Sequence, residues 1–155
     1  ENKFYYCVMA RSISDNLGLV DSNKKNQIEA CKRVGIHDFI MSLPKGYNTI
    51  LKEDAQDISG GQKQLISLAR TLLSKSEILL FDEVTSSLDP NTASNIIKVI
   101  KDLKKDHTVI MITHKPKLMK IADKILVIDK GKLVGCGKHK DLILNNKYYK
   151  LLHKL

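Results

Sequence analysis

Three short apolar runs constrain the fold of this chain more than any other feature. Ile78-Leu79-Leu80-Phe81, residues 108–113 and residues 125–128 are each too short for a buried helix. They also lack strict polar alternation, which is the pattern of strands covered on both faces. Helical segments fall between them. Asp89-Pro90 opens one, with the acid at the cap and proline in the first turn, and Ile96, Ile97, Ile100 and Leu103 keep helical spacing behind it. Residues 115–122 form a short helix with Pro116 near its start. Asp129-Lys130-Gly131-Lys132 is a tight turn into Leu133-Val134, so the last two strands pair as a hairpin. Two small helices, about 140–144 and 147–153, close the chain. Strands alternating with helices specify an α/β fold: a mainly parallel sheet with one antiparallel C-terminal hairpin.

The part before the first strand reads differently. Residues 1–10 give no clear element. Ser22 caps a helix to about Val34, with Gly35 as its stop, and a short helix from His37 to Leu43 ends at Pro44. Residues 45–57 are polar and aperiodic and read as loop; a helix then runs from Gly60 to about Ser74. Residues from about 16 to 75 therefore make a helical subdomain ahead of the α/β part, which runs from about 76 to 155. Together they are one domain's worth of chain.

Composition excludes several classes. No apolar run approaches the roughly 18 residues of a membrane span, and the first ten residues lack the basic start and apolar stretch of a secretory signal. Cys7, Cys31 and Cys136 are odd in number and far apart, which argues against a disulfide framework or a zinc site. The net charge of +9 is uneven: residues 1–90 carry 11 basic against 12 acidic groups, and residues 91–155 carry 15 lysines against 5 acids. Those lysines are spread over helix faces without interleaved aromatics, the pattern of solvated surfaces rather than a nucleic-acid groove.

Four features carry chemistry. Ser59-Gly60-Gly61-Gln62 is a helix start in which serine caps and glycines leave the first N–H groups uncovered, an arrangement suited to a phosphate. On its own it reads better as a serine-capped core helix with a flexible lead-in. The first strand ends in Asp82-Glu83, where one carboxylate can hold Mg²⁺ through water and the other can activate a water; a helix-capping acidic pair is the alternative. The second ends in Thr113-His114, placing an imidazole for a terminal phosphate or simply at the surface. Asp89 is a helix cap that has room for a second role.

In this order the features resemble the nucleotide-binding domain of ATP-binding cassette (ABC) transporters, a P-loop NTPase-like fold. Residues 58–62 resemble the signature motif, 78–83 the Walker B strand, Ser87-Leu88-Asp89 the D-loop, and His114 the switch histidine. Phe39-Ile40, Leu43-Pro44-Lys45-Gly46-Tyr47 and Gly137-Lys138-His139 are similar to stretches of exporter-type domains, as is Glu53 in the loop before the signature. The resemblance covers about residue 12 to the end. It implies that Ser59, Gly60, Gly61 and Gln62 contact the γ-phosphate of ATP held by an opposing subunit, and that Asp89 reaches across that interface. It further implies Mg²⁺ held by Asp82, Glu83 as general base, and His114 on the γ-phosphate. The implied partners are a second nucleotide-binding domain and a transmembrane domain, at the cytoplasmic face of the cell membrane, with no nucleic acid.

The pattern also departs from the family. The phosphate cradle G-x-x-x-x-G-K-[ST] does not occur in these 155 residues: Gly131-Lys132 and Gly137-Lys138 are followed by Leu133 and His139. Aligned on residues 12–17, the family's Mg²⁺-sensing glutamine falls at Phe4. Leu65 stands where an arginine usually follows the signature, and Lys52 and Ala55 where glycines are usual. The expectation is an exporter ATPase subunit that does not hydrolyse ATP unaided. The other readings are a non-enzymatic module offering its signature face to a complete partner, and the C-terminal lobe of a chromosome-maintenance ATPase. Against the last stands the absence of a heptad coiled coil leading into the chain.

Overall fold

The computed structural model describes residues 8–52, 57–85 and 88–152. These fall into two compact units, residues 1–80 with 87–110 and residues 81–86 with 111–155. Phe4, Cys7, Glu53, Ala55 and Ser87 lie outside the described residues.

The first unit is mainly helical: α1 (Ile13–Gly18), α2 (Lys24–Val34), α3 (His37–Ser42), α4 (Gly60–Leu73) and α5 (Pro90–Leu103). α1 is an addition to the sequence reading. Six residues are too few for periodicity, and Ser12 starts it by accepting the Asp15 N–H at 2.9 Å. The cap of α2 is Asn23 rather than Ser22. Asn23 Oδ1 accepts the N–H groups of Lys25 and Asn26, and Asp21 in turn accepts the Asn23 N–H at 2.8 Å. Gly35 stops α2 in left-handed backbone at φ 80, as its position predicts. The loop after Pro44 contains one 3₁₀ turn, Gly46–Asn48.

Ile13, Leu17, Cys31, Ile40, Ile66, Ala69, Ile96, Ile100 and Leu103 are among the buried apolar residues of this unit's helices. α4 packs on α1 and α2, and α2 also meets α5. At that meeting Arg33 reaches Asp106 at 2.9 Å and Asp102 at 3.3 Å, an exposed pairing of modest energy that fixes one helix against the other.

Two strand pairs are present among the described residues. β1 (Ile78–Asp82) pairs with β2 (Thr108–Ile112), and β3 (Ile125–Asp129) pairs with β4 (Lys132–Gly137) antiparallel. The first pair is parallel: the Thr108 N–H donates to the Glu77 carbonyl at one end and the Glu83 N–H to the Ile112 carbonyl at the other. The hairpin turn has Lys130 at φ 46 and Gly131 at φ 74, the two positive values a tight primed turn requires.

One expectation is corrected here. β1 is not covered on both faces: Leu79 and Phe81 are buried while Ile78 and Leu80 are 57% and 59% exposed. On β2, Ile110 and Ile112 are 50% and 64% exposed. An apolar run signals two covered faces only where elements lie on both sides, and here the described residues cover one.

The second unit contains α6 (Pro116–Met119), the hairpin, α7 (His139–Asn145) and α8 (Lys147–Leu152). Met119, Val127, Leu142 and Tyr149 form its core. The Tyr149 hydroxyl lies 2.7 Å from His139 Nδ1, and Asn146 Nδ2 donates to the Val134 carbonyl at 2.8 Å. The first contact joins α7 to α8, and the second ties the residue between them to the hairpin.

The reassigned cap gives a direct check. Asn23→Ala is expected to lower unfolding stability by about 1 kcal/mol in urea, and Ser22→Ala by less than about 0.5 kcal/mol. Equal losses would return the cap to Ser22.

Candidate functional site

The predicted site residues fall into two groups, one in each unit. In the first unit, Ser59 sits in extended backbone at φ −66, ψ 158, ahead of α4. The Ser59 hydroxyl accepts the Gln62 N–H at 3.2 Å and Gln62 Oε1 accepts the Ser59 N–H at 2.7 Å. This reciprocal box gives Gln62 a structural task that the sequence reading missed; a glutamine three residues after a capping serine is the signal for it. Gly60 and Gly61 occupy the first two helical positions, whose N–H groups have no carbonyl within the helix. Around Gly60 a side chain would meet open space, so glycine there leaves the helix end bare. Gly61 is buried, and a Cβ on it would stand 2.8 Å from Thr92 Cγ2.

Asp89 caps α5 in the same unit. Its carboxylate accepts the N–H groups of Asn91 and Thr92, each at 3.0 Å. The Thr92 side chain is the largest influence holding that carboxyl below its ordinary range, followed by the backbone N–H of Thr92. Pro90 at the first helical position completes the start that the sequence predicts.

The second group forms where β1 and β2 end. Asp82 is the last residue of β1 and is exposed. Glu83 follows in left-handed backbone at φ 46, a region unfavourable for a residue with a side chain. Its N–H donates to the Ile112 carbonyl at 2.9 Å, which holds it there. From that position Glu83 Oε1 lies 3.1 Å from His114 Nδ1, both side chains being about half exposed. With a proton on Nδ1, the imidazole donates to the carboxylate and keeps Nε2 for another partner. The Lys115 N–H donates to Thr113 Oγ1 at 3.0 Å, turning the chain just after His114.

Chemically, the second group is a carboxylate oriented by an imidazole and placed beside a second carboxylate, which suits proton abstraction from water near a bound cation. The first group is a bare helix start suited to an anion. Leu65, the departure after the signature, is buried in α4, and exposed Lys52 donates its N–H to Asp57 Oδ1 at 3.2 Å.

Backbone strain at Glu83 makes a prediction. Glu83→Gly removes the left-handed penalty, so unfolding stability is expected to stay level or to rise by up to about 1 kcal/mol. A loss greater than about 1 kcal/mol in thermal or urea unfolding would contradict the strain.

A family model, several relatives and solved structures match this chain. The family model described as AAA domain, putative AbiEii toxin, Type IV TA system matches residues 38–120. The Toxin RTX-I translocation ATP-binding protein of Actinobacillus pleuropneumoniae is 42% identical over 151 residues, covering 96% of this chain and 21% of that protein. The alpha-hemolysin translocation ATP-binding protein of Proteus vulgaris is 41% identical, with the same coverage. A Serine protease/ABC transporter B family protein of Dictyostelium discoideum is 43% identical over 143 residues, covering 90% of this chain and 8% of that one. Among solved structures, a bacterial Atm1-family ABC exporter with ATP bound matches at a TM-score of 0.87 and 34% identity, covering 95% of this chain and 26% of that one. The chain thus spans about a fifth of the length of the two translocation proteins. On these matches the chain belongs to the AAA-type ATPase family, as a partial nucleotide-binding domain of the ABC transporter kind.

Proposed function

We propose that the chain supplies the signature and water-activating parts of an ATP-hydrolysing ABC exporter subunit. In this reading residues from about 16 to 75 form the helical signature subdomain and those from about 76 to 155 the C-terminal part of the α/β core. It works at the cytoplasmic face of a membrane, against a second nucleotide-binding domain and beneath a transmembrane domain, and needs no nucleic acid. The observation that carries the reading is the Glu83–His114 pair at 3.1 Å, held by a non-glycine residue in left-handed backbone. Such strain is retained where the surrounding structure over-determines it, and it concentrates at working sites.

Each residue then has a task. Glu83 accepts a proton from the attacking water, with His114 orienting its carboxylate and contacting the γ-phosphate of ATP. Ser59, Gly60, Gly61 and Gln62 present the α4 start to the γ-phosphate bound by the opposing subunit. Asp89 lies at that interface. The donor set fits Mg²⁺: Asp82 offers a hard carboxylate oxygen, and among the described residues no three His, Cys, Asp or Glu side chains gather into a metal cage. Asp82 would hold the ion through water, with phosphate oxygens and further waters as the other ligands. When bound, the ion supplies charge stabilisation at the transferring phosphoryl group.

A second reading has its own observation. In it the chain, as these 155 residues, is a non-enzymatic module whose signature face, capped by Ser59 and bare at Gly60, completes an ATP site borne wholly by its partner. A phosphate-release assay separates the two. The chain alone is expected to give no Glu83-dependent turnover. Mixed with a nucleotide-binding domain that carries the cradle, it is expected to give turnover that Glu83→Gln lowers by at least about 100-fold. Turnover insensitive to Glu83→Gln would favour the non-enzymatic module, and Glu83-dependent turnover by the chain alone would overturn the need for a partner.

A further inference from the structure

Thr92 is assigned no role by the signature, the strand-end carboxylates or the histidine, yet it touches two of the proposed site elements at once. It lies in the first turn of α5, three residues after Asp89. Its backbone N–H donates to Asp89 Oδ1 at 3.0 Å, and its side chain is the largest influence holding that carboxyl below its ordinary range. On its other side, Cγ2 lies 2.8 Å, Oγ1 3.4 Å and Cβ 3.5 Å from where a Cβ of Gly61 would stand. A separation of 2.8 Å leaves no room for a methyl group. Gly60, one residue earlier, has nothing within 4 Å of its Cβ position. The two glycines are therefore glycine for different reasons: Gly60 to leave the helix end bare, Gly61 because Thr92 occupies the space.

We propose that Thr92 is a positioning residue that locks the first turn of α4 against Asp89, so that the signature glycines and the D-loop aspartate meet ATP as one rigid edge. The inference rests on the reading above for its effect on ATP, while the contact itself does not. The Thr92 methyl sets how closely the Gly61 backbone approaches α5, and its hydroxyl sets where the Asp89 carboxylate points. Losing the hydroxyl lets the Asp89 carboxylate shift relative to the α4 start without removing a group that touches nucleotide. In phosphoryl transfer, where positioning supplies most of the catalysis, that displacement appears as slower turnover.

The test uses three variants in the chain mixed with a cradle-bearing nucleotide-binding domain, together with thermal unfolding of the chain itself. Thr92→Val keeps the shape and loses the hydroxyl, and is expected to lower kcat about tenfold while the KM for ATP moves less than about twofold. Thr92→Ser keeps the hydroxyl and is expected to stay within about twofold of the parent kcat. The two variants are expected to unfold at midpoints within about 3 °C of each other, which a role in folding alone would not reconcile with their different turnover. Gly61→Ala is expected to lower the unfolding midpoint by about 5 °C or more, and adding Thr92→Ser to restore at least half of that loss by removing the methyl it meets.

Equal turnover for Thr92→Val and Thr92→Ser, or a Gly61→Ala defect that Thr92→Ser leaves untouched, would overturn the inference. If Glu83→Gln leaves turnover unchanged, the functional reading falls instead. The paired midpoints of Gly61→Ala and Gly61→Ala/Thr92→Ser, which need no nucleotide, then decide the contact by themselves.

Discussion

The hydrogen bond from the Glu83 N–H to the Ile112 carbonyl, 2.9 Å long, is the constraint on which the candidate chemistry depends. β1 and β2 run parallel, so their carboxyl ends finish side by side, and this bond continues their pairing one residue past the last strand position of β1. It keeps Glu83 at φ 46 and so sends the side chain toward His114, 31 positions later in the chain. Open α/β sheets collect ligands beyond the carboxyl ends of their strands. Here the feature that makes that rule chemical is one strained residue held by one backbone bond.

The first unit is built by similarly local means. Ser59 and Gln62 exchange hydrogen bonds around the first turn of α4, and Asp89 does the equivalent work for α5 with two N–H groups. Both helix starts are thereby fixed by local hydrogen bonds, each cap contributing about 1 kcal/mol. Burial of Ile66, Ile96 and Ile100 then anchors the helices behind those starts. Gly61 is where the local and tertiary constraints meet, since the helix tolerates many residues at its second position and the Thr92 methyl does not.

What was legible in the sequence follows from how local each signal is. The helix starts at Ser59 and Asp89-Pro90, the left-handed stop at Gly35 and the turn at Lys130-Gly131 are set within four or five residues, and each stands where the sequence puts it. Ser22 and Asn23 are adjacent caps of nearly equal propensity. The choice falls to Asn23 because Asp21 accepts its N–H, a second hydrogen bond that propensity does not weigh. The open row of Ile78, Leu80, Ile110 and Ile112 is not legible in the sequence, because burial belongs to neighbouring elements rather than to the strand. Pairs such as Glu83 with His114 and Gly61 with Thr92 leave no trace in spacing. The first entered through resemblance to a family, and the second only through coordinates.

The central claim is that the α4 start completes an ATP site belonging to another subunit. Sedimentation velocity of the Glu83→Gln chain with a cradle-bearing nucleotide-binding domain, with and without Mg²⁺ and ATP, tests it most directly. Blocking hydrolysis keeps the ATP-bound state in place for the measurement. The account predicts a 1:1 complex that appears only with Mg²⁺ and ATP and is lost when Ser59→Arg covers the helix start. A complex indifferent to nucleotide, or one that Ser59→Arg leaves intact, would contradict it.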